Sequence, residues 1–322
     1  MTTTLISWSI AIFAARETTD TLARCVRAAL AASIGRQLVI DVLINGNAEL
    51  AEKFLAIARN LDCGEAKLRV WSISEPDKAH TWNEYVYRIW EPESITFFID
   101  GYAQVRTDAL SAMERRLAMT PDALGATGVP TCGRSATAIR EQMKRKGGIH
   151  GNLFAISAEG MRGIRRVGFK LPLGIYRTDP LIGSVLMFRL DPANNTWDPR
   201  RIAVEPTATW HVDGIEDITW GNVKAHFKRM LRQAQGELEN RAAREHLAVQ
   251  QLPSNQLPLT VADLIAQWLT AQPVQARSLF LKRPLCYYAA WKVRVLRNWS
   301  RANYPPELLY SAKITMKTTA VS

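Results

Sequence analysis

A single carboxylate, Asp100, directly follows the run Ile95-Thr96-Phe97-Phe98-Ile99. β-Branched and aromatic residues without polar alternation are typical of a strand that is covered on both faces, as in a parallel sheet. Open α/β sheets bind their ligands at the carboxyl ends of such strands. Asp100 therefore stands where a catalytic or metal-binding acid would lie, and Gly101 would let a ligand approach the backbone closely. The alternative is that Asp100 only caps the turn after the strand.

The elements that would position Asp100 alternate between strand and helix patterns through the first half of the chain. The predicted strands cover residues 7–14, 38–44, 68–73, 95–99 and 124–129. The predicted helices cover residues 20–33, 50–61, 78–90 and 107–118. Short strands separated by helices predict an α/β fold, with a three-layer, mostly parallel sheet and flanking helices.

The second half of the chain is less regular. Residues 134–148 are basic and contain Gly147-Gly148 as a hinge, so we expect a mobile loop there. The further predicted elements are a strand at 151–157, a helix at 158–167, a helix at 179–190, a strand at 201–212 and a long helix at 222–250. Pro253 and Pro258 mark a linker. We therefore divide the chain into a domain at 1–250 and a basic helical extension at 251–322, with a frayed end.

Composition and missing motifs exclude several classes of protein. The chain is 47% hydrophobic and 22% charged, as globular proteins are. Its four cysteines are far apart, which argues against a zinc ribbon or a disulfide framework. The sequence contains no GxGxxG, GxxxxGK[ST], GxSxG or HExxH motif, which disfavours dinucleotide redox chemistry, P-loop hydrolysis and the common hydrolases. No apolar run reaches the length of a membrane span, so we expect a soluble cytoplasmic protein.

The net charge of +11 is concentrated in two segments. Residues 271–322 carry nine Lys or Arg and one acid, and residues 134–170 carry nine Lys or Arg and two acids. The remainder of the chain is mildly acidic. Two basic segments without a nucleic-acid-binding module predict separate anionic partners and no nucleic acid.

Five short segments, taken in order, resemble the family 2 glycosyltransferases of the GT-A fold over roughly residues 5–240. These enzymes have a polar turn after the first strand, an Asn-Gly or acidic turn after the second, a basic helix start, an Asp-x-Asp strand end and a Gly-rich segment leading to an acidic pair. The matching residues here are Ala14-Ala15-Arg16-Glu17, Ile44-Asn45-Gly46-Asn47, Lys78 to Asn83, Asp100-Gly101-Tyr102, and Gly151-Asn152 with Leu171-Pro172-Leu173-Gly174 before Thr178-Asp179.

The resemblance implies an inverting transferase that moves a sugar from a nucleotide-diphospho-sugar to a hydroxyl of a saccharide or lipid-linked acceptor. Asp179 would be the general base, and Asp100 with His211 would bind Mn²⁺ or Mg²⁺ at the diphosphate. The implied donor contacts are Ala15, Glu17, Asn45, Lys78, Asn83, Asp100 and Gly101, and the implied acceptor-side residues are Gly151, Asn152 and Thr178. Four of these residues have a structural alternative. His211 would be a packed histidine at a strand end, and Glu17 a solvated loop acid. Lys78 and Asn83 would only start and cap a helix.

The chain departs from the family pattern at two positions. Tyr102 takes the place of the second acid of Asp-x-Asp, and Thr178 replaces a Glu. The diphosphate is therefore expected to depend partly on cations from Arg134 to Lys146. The loss of the acid also leaves open a second function, a catalytically silent relative that binds a nucleotide sugar or a partner.

Two further segments bear on the acceptor. Residues 229–233 match the Gln-x-x-Arg-Trp signature of processive synthases only at Arg232, and the alternative is a solvated basic face of a helix. Because the sequence also contains no membrane span, we expect the addition of one sugar at a time. Residues 287–299 mix aromatic and basic residues at helical spacing. Such a helix would either lie on the anionic inner face of a membrane or pack its Trp side chains onto the body of the protein.

Overall fold

The computed structural model describes residues 8–92, 94–133, 135–213, 221–295 and 297–312. The strands of these residues are β1 Trp8–Ala14, β2 Leu38–Asn45, β3 Ala66–Ile73, β4 Ile95–Asp100, β5 Gln104–Val105, β6 Gly125–Thr127, β7 Leu153–Ile156, β8 Ile202–Val204, β9 Trp210–His211 and β10 Glu307–Ser311. The helices are α1 Thr19–Ala31, α2 Ala48–Ala58, α3 Lys78–Glu84, α4 Ala109–Ala118, α5 Ala136–Lys146, α6 Ala158–Val167, α7 Thr178–Met187, α8 Gly221–Arg244, α9 Val261–Ala271, α10 Pro273–Lys282 and α11 Pro284–Arg294.

The main sheet has eight strands in the order β10-β3-β2-β1-β4-β7-β6-β8. Strands β3, β2, β1 and β4 run parallel, and β6 and β8 also pair in parallel. The strands β7 and β10 pair antiparallel with their neighbours. The predicted fold class, a mostly parallel sheet with flanking helices, is therefore confirmed.

Both faces of the sheet are covered, which explains the unbroken apolar run before Asp100. Neighbouring residues of a strand point to opposite faces. Phe97 packs in one core cluster with Ile10 and Ile40, whereas Phe98 packs in the other with Trp82. In that second cluster Phe98 stacks on Phe154, with ring centroids 4.7 Å apart.

The helices that flank the site begin at residues that can cap them. Thr18, Asn47 and Asp77 each accept a backbone N–H from the first turn of α1, α2 and α3. Such caps satisfy donors that have no partner within the helix. After α3 the chain continues as a π-helical turn over Tyr85–Ile89, so the predicted helix at 78–90 is present but changes its hydrogen bonding.

The predicted mobile loop at residues 134–148 is wrong, because residues 136–146 form α5. Within α5, Ala136 and Met143 are buried, and Glu141, Lys144, Arg145 and Lys146 are exposed. Because only two residues of this helix are buried and apolar, the sequence shows too weak a hydrophobic periodicity to predict a helix. Arg134 itself lies outside the described residues.

The single strand predicted at residues 201–212 is also wrong. It is divided into β8, which joins the main sheet, and β9, which pairs with β5 in a separate two-stranded sheet. Pro206 lies between them and has no backbone N–H for a sheet hydrogen bond. The predicted strand at 124–129 is shortened to β6. The predicted helix at 222–250 is present as α8 and continues as a π-helical turn over Glu245–Val249.

The C-terminal region is helical, as predicted, and packs on the body of the protein. Cys286, Ala289 and Ala290 of α11 are buried in the same core cluster as Trp82. The strand β10 was not predicted, and it extends the main sheet by pairing with β3. The predicted frayed end falls on residues 313–322, outside the described residues. In the described part of the chain, no helix is long and apolar enough to cross a membrane.

Candidate active site

Lys78, Asp100 and Asp179 meet at the carboxyl edge of the main sheet, although they come from three separate parts of the chain. The Nζ of Lys78 lies 2.6 Å from Oδ1 of Asp100 and 3.4 Å from Oδ1 of Asp179. Their side chains are 30%, 15% and 22% exposed, respectively. An ammonium group therefore bridges two partly buried carboxylates, where charges interact more strongly than in bulk water.

The end of a secondary-structure element places each of these side chains. Asp100 is the last residue of β4, Lys78 is the first residue of α3, and Asp179 lies in the first turn of α7. Asp77, which caps α3, also accepts the backbone N–H of Gly174 at 3.1 Å. This hydrogen bond joins the start of α3 to the loop before α7, and it fixes Lys78 relative to Asp179.

Tyr102 uses its hydroxyl group where the family pattern has a second acid. Its oxygen lies 3.1 Å from Oδ2 of Asp100 and 3.1 Å from Oδ1 of Asn152. A hydroxyl has one proton to donate, so it serves these two acceptors one at a time. Tyr102 thus orients Asp100 and connects it to the predicted acceptor-side segment.

The charges of the site follow from burial and from these contacts. Burial raises the pKa of Asp100, and Lys78 opposes that shift. Burial by itself would lower the pKa of Lys78, but Asp100 and Asp179 outweigh it and raise that pKa above its ordinary value. Burial, and then Asp100, raise the pKa of the Tyr102 hydroxyl. Lys78 therefore keeps its positive charge, and Tyr102 remains a neutral donor.

Two of the three residues predicted on the acceptor side, Gly151 and Thr178, lie against Asp179. Gly151 lies so close that a Cβ on it would overlap the Asp179 carboxylate. Oγ1 of Thr178 donates to Oδ1 of Asp179 at 3.0 Å. Asn152 follows Gly151 and contacts Tyr102 as described above. Glycine at position 151 is therefore required for this packing, because any side chain would displace the carboxylate.

Glu17 folds back onto the turn after β1. Its Oε2 accepts the backbone N–H of Ala15 at 2.6 Å and that of Arg16 at 2.8 Å. The carbonyl oxygen of Ala15 accepts a hydrogen bond from Nδ2 of Asn47 at 2.8 Å. Glu17 and Ala15 thus shape the turn after β1 at the edge of the sheet.

Asn45 and Gly101 connect the neighbouring strand ends. The side-chain amide of Asn45 donates to the carbonyl of Ala14 at 2.8 Å and accepts the N–H of Asp77 at 3.1 Å. The N–H of Gly101 donates to the carbonyl of Phe13 at 2.8 Å, and a Cβ on Gly101 would lie 2.8 Å from that oxygen. The close approach that calls for glycine at position 101 is therefore made by β1.

Two predicted site residues make contacts elsewhere. Asn83 is buried, and its amide donates to the carbonyl of Leu171 and accepts the N–H of Leu171, both at 2.9 Å. His211 lies on β9, where its Nε2 is 3.6 Å from Oδ1 of Asp213 and its side chain is 63% exposed. Asn83 thus anchors the segment that leads toward α7, and His211 is partnered with Asp213.

Asp100 is the carboxylate that this cluster offers to the Mn²⁺ or Mg²⁺ implied by the resemblance. In the described residues, no group of three or more His, Cys, Asp or Glu side chains is arranged to bind a metal ion. Divalent cations at nucleotides commonly use one or two carboxylates and complete their coordination with phosphate oxygens and water. The residues therefore fit a cation that arrives with a diphosphate, and they do not form a protein cage.

Glu239 was not singled out in the sequence, yet it organises the loop before Asp179. Its carboxylate accepts the backbone N–H of Tyr176 at 2.9 Å and that of Arg177 at 2.8 Å. Gln235 donates to the same carboxylate at 2.7 Å. Glu239 is buried within α8. An isolated acid in a long amphipathic helix gives no sequence signal that it binds a loop about 60 residues earlier.

His150 is the second residue that the sequence did not indicate. Its Nδ1 accepts the backbone N–H of Asn152 at 3.3 Å, and its ring packs on Trp210 at 4.8 Å between centroids. Burial lowers the pKa of His150, against the opposing effect of Asp179. A neutral imidazole therefore supports the segment that lies against Asp179.

The chain matches no protein family model and no curated protein sequence. Its structure is similar to that of the mannosyltransferase PcManGT from Pyrobaculum calidifontis in complex with GDP-Man and Mn²⁺, with a TM-score of 0.53 and 15% identity over 89% of this chain and 84% of that chain. It is also similar to residues 1–349 of TarS from S. aureus, with a TM-score of 0.51 and 9% identity over 89% and 80% of the two chains. Identities this low establish a shared fold alone, and that fold is the GT-A fold of the glycosyltransferases.

Proposed function

We propose that this protein is an inverting, non-processive glycosyltransferase. It would move one sugar from a nucleotide-diphospho-sugar to a hydroxyl of a saccharide or lipid-linked acceptor. The observation that carries this proposal is the Lys78 ammonium, which lies 2.6 Å from Asp100 and 3.4 Å from Asp179 at the carboxyl edge of the sheet. The mannosyltransferase of similar fold was solved with GDP-Man and Mn²⁺, which supports a donor of this class.

On the donor side, negative charge builds on the leaving diphosphate as its bond to the sugar breaks. A fixed cation at this position stabilises that charge without reorganisation during the reaction. Lys78 supplies such a cation. Asp100 would hold Mn²⁺ or Mg²⁺, which when bound adds Lewis-acid neutralisation of the same diphosphate oxygens.

On the acceptor side, Asp179 accepts the proton of the attacking hydroxyl. The hydroxyl oxygen forms a bond to the anomeric carbon as the bond from that carbon to the diphosphate breaks. Because the attack comes from the face opposite the leaving group in one displacement, the configuration is inverted. General-base catalysis of this kind contributes about 10²–10⁴-fold to the rate.

The first test is a thermal-shift panel of nucleoside diphosphates and sugar nucleotides, with Mn²⁺ or with EDTA. A ligand that binds the folded state raises the apparent melting temperature by mass action. We expect at least one sugar nucleotide to do so, with a larger shift in Mn²⁺. Asp100→Ala should reduce the shift, whereas Glu52→Ala, an exposed carboxylate on α2, should not. If no sugar nucleotide stabilises the wild type, the proposal fails.

The second candidate function, binding without catalysis, is favoured by Tyr102 in the place of the second acid. It predicts that a sugar nucleotide stabilises the protein but is neither hydrolysed nor transferred. Release of nucleoside diphosphate from the stabilising ligand would exclude this alternative. The same assay therefore separates the two functions.

We also propose a peripheral contact between this cytoplasmic protein and an anionic membrane surface. The helices α10 and α11 leave large apolar side chains exposed, among them Leu281 at 78% and Trp291 at 57%. Residues 273–295 include five Lys or Arg and no acid. Exposed aromatic and aliphatic groups interleaved with cations suit the headgroup region, where each cation contributes about 1 kcal/mol.

Vesicle sedimentation tests the membrane contact. We expect the wild type to bind vesicles that contain phosphatidylserine at low salt and to be released as salt is added. Leu281→Ser combined with Trp291→Ser should weaken binding. Ile34→Ser, which changes an apolar side chain that is 84% exposed elsewhere on the surface, should not. Binding that is indifferent to the double substitution would contradict this contact surface.

A further inference from the structure

A cavity of about 510 Å³ lies between α7 and the C-terminal part of α8. Its volume is in the range of small-molecule sites. The apolar part of its lining comes from Ile175, Pro180, Leu181, Phe188, Trp197 and Leu247. Phe188 and Trp197 pack edge to face at one side of the cavity, with ring centroids 5.3 Å apart. A rigid aromatic pair and aliphatic side chains form a surface that an apolar chain would cover favourably.

The cavity adjoins the proposed catalytic base through the first turn of α7. Pro180, which lines the cavity, directly follows Asp179, and Arg177, which also lines it, precedes Thr178. Asp179 itself faces Gly151 and Lys78 on the neighbouring side of that turn. A molecule that fills the cavity therefore needs to pass one turn of helix to bring a hydroxyl to Asp179.

Two arginines and one buried acid are the charged groups that line the cavity. Arg177 is half-buried and Arg244 is exposed, and neither makes an ion pair within 4 Å among the described residues. The Nε of Arg177 is buried and has no hydrogen-bond partner there. The acid of the lining, Glu239, already accepts two backbone N–H groups and a hydrogen bond from Gln235. The Nε of Arg177 lies against Gly236 of α8. Because neither arginine has a carboxylate partner in the described part of the chain, the remaining N–H groups of their guanidinium groups are available to an anionic ligand.

The same helix also carries the basic C-terminal surface. Arg283, between α10 and α11, pairs with Glu237 of α8 at 3.3 Å. Glu237 is seven residues before Arg244, which is about 10 Å along a helix. The cavity and the proposed membrane-contact surface thus lie at neighbouring positions on α8, so a molecule held in a bilayer could reach the cavity.

We infer that this cavity binds the apolar chain of a phosphate-bearing lipid acceptor, with its phosphate at Arg177 and Arg244. This inference rests on the proposed glycosyl transfer and selects the lipid-linked acceptor over a free saccharide. The acceptor hydroxyl would extend past Pro180 to Asp179. A mostly apolar lining, two arginines without an ion pair and a position one helical turn from Asp179 together favour this chemistry.

Direct binding tests the inference without any sugar transfer. The probes are farnesyl phosphate, farnesol and inorganic phosphate, measured by titration calorimetry on the full chain. We expect farnesyl phosphate to bind best. Arg244→Ala should weaken it by about tenfold or more, since a hydrogen bond to a charged group contributes about 1.5–3 kcal/mol and tenfold corresponds to about 1.4 kcal/mol. Ala243→Phe should weaken it by filling the cavity.

Lys228→Ala is the matched control, because it removes an exposed cation from the same helix about 24 Å from Arg244 along its axis. It should leave binding unchanged. Equal binding of farnesol, equal binding of inorganic phosphate, or no binding of farnesyl phosphate would overturn the inference, as would indifference to Arg244→Ala. If Ala243→Phe does not fold, the binding of farnesyl phosphate to Arg244→Ala still tests the inference.

The outcomes for the cavity and for the proposed function are separable. Sugar-nucleotide stabilisation of the wild type is measured independently, and it should be preserved in Arg244→Ala. If sugar nucleotides bind but farnesyl phosphate does not, the transferase proposal stands and the lipid acceptor is wrong. If farnesyl phosphate binds through Arg244 but no sugar nucleotide binds, the cavity is a lipid site in a protein of different function.

Discussion

The Nζ of Lys78 lies 3.4 Å from Oδ1 of Asp179, although 101 residues separate them in the chain. Lys78 also contacts Asp100 at 2.6 Å, so one ammonium group holds two carboxylates that would otherwise repel each other. The arrangement connects the proposed donor side of the site to the proposed general base.

Replacement of Lys78 by Met should remove the cation that lies between Asp100 and Asp179. Their mutual repulsion would no longer be compensated, and a diphosphate would meet two carboxylates without the cation. Loss of one partner of a well-buried ion pair costs about 3–5 kcal/mol, and the partial exposure of this site should reduce that loss. We expect sugar-nucleotide affinity to fall by at least about tenfold, or about 1.4 kcal/mol, as measured by titration. Lys78→Arg retains the charge, so its sugar-nucleotide affinity should fall less. An equal fall in affinity in both variants would contradict a role that depends on charge.

Asp179→Asn should remove most transfer while leaving donor binding intact. The amide has nearly the same shape but cannot take up the acceptor proton, and loss of a general base costs about 10²–10⁴-fold in rate. The measurement is turnover with saturating sugar nucleotide and acceptor, with donor stabilisation as the folding control. Turnover close to that of the wild type would show that the base lies elsewhere.

Gly151→Ala should act through the position of Asp179. A methyl group at position 151 would occupy the space of the Asp179 carboxylate, so that side chain must rotate. We expect kcat to fall more than donor affinity, because Lys78 and Asp100 are not displaced by the methyl group. If donor affinity and kcat fall together, the substitution disturbs the whole sheet edge and the specific role of Gly151 is wrong.

The buried carboxyl group of Glu239, which binds the loop before Asp179, should make the stability of the protein depend on pH. Burial raises its pKa to about 7, from an ordinary value of about 4.3. Because the folded state holds this proton more tightly than the unfolded state, its contribution is complete below pH about 4 and is lost as the pH rises to about 7. We expect the free energy of unfolding of the wild type to fall, relative to that of Glu239→Gln, as the pH rises through this range.

Urea unfolding at several pH values measures the Glu239 effect. The comparison with Glu239→Gln cancels the other titrating groups, and Glu52→Gln provides an exposed control that should follow the wild type. The difference in the free energy of unfolding between the wild type and Glu239→Gln should therefore change with pH. If it stays constant from acid to neutral pH, Glu239 titrates as it does in the unfolded chain and the prediction is wrong.

Deletion of residues after Pro284 should destabilise the protein rather than remove a separate membrane helix. It would expose the core around Cys286 and Ala289, and it would remove β10 from the sheet edge. It would also break the 2.7 Å contact between Arg297 and the buried Glu75. Burial of one large apolar side chain contributes about 1.5–3 kcal/mol, so the combined loss is a large part of a typical folding free energy. The melting temperature of the truncated chain measures this loss of stability. An unchanged melting temperature would show that the residues after Pro284 are not needed for the stability of the fold.

The sequence determined the alternation of strands and helices, because the apolar periods of β1 to β4 and of α1 and α2 are strong and local. It also placed Asp100 at the end of a strand that is buried on both faces, and Lys78 at the start of a helix. These features depend on residues that are close in the chain. The pattern failed where local signals were weak or mixed, as in α5, or where a proline divided one apolar run, as at Pro206.

Only the tertiary structure decided which of these residues meet. Separate elements bring Lys78 to both acids and Glu239 to the loop before Asp179, and Tyr102 became a hydrogen-bond donor to Asp100. The edge strand β10 has no pattern that distinguishes it from a loop until β3 offers its free hydrogen-bonding groups. Contacts between residues far apart in the chain depend on how the layers pack, and periodicity within one segment carries no information about that packing.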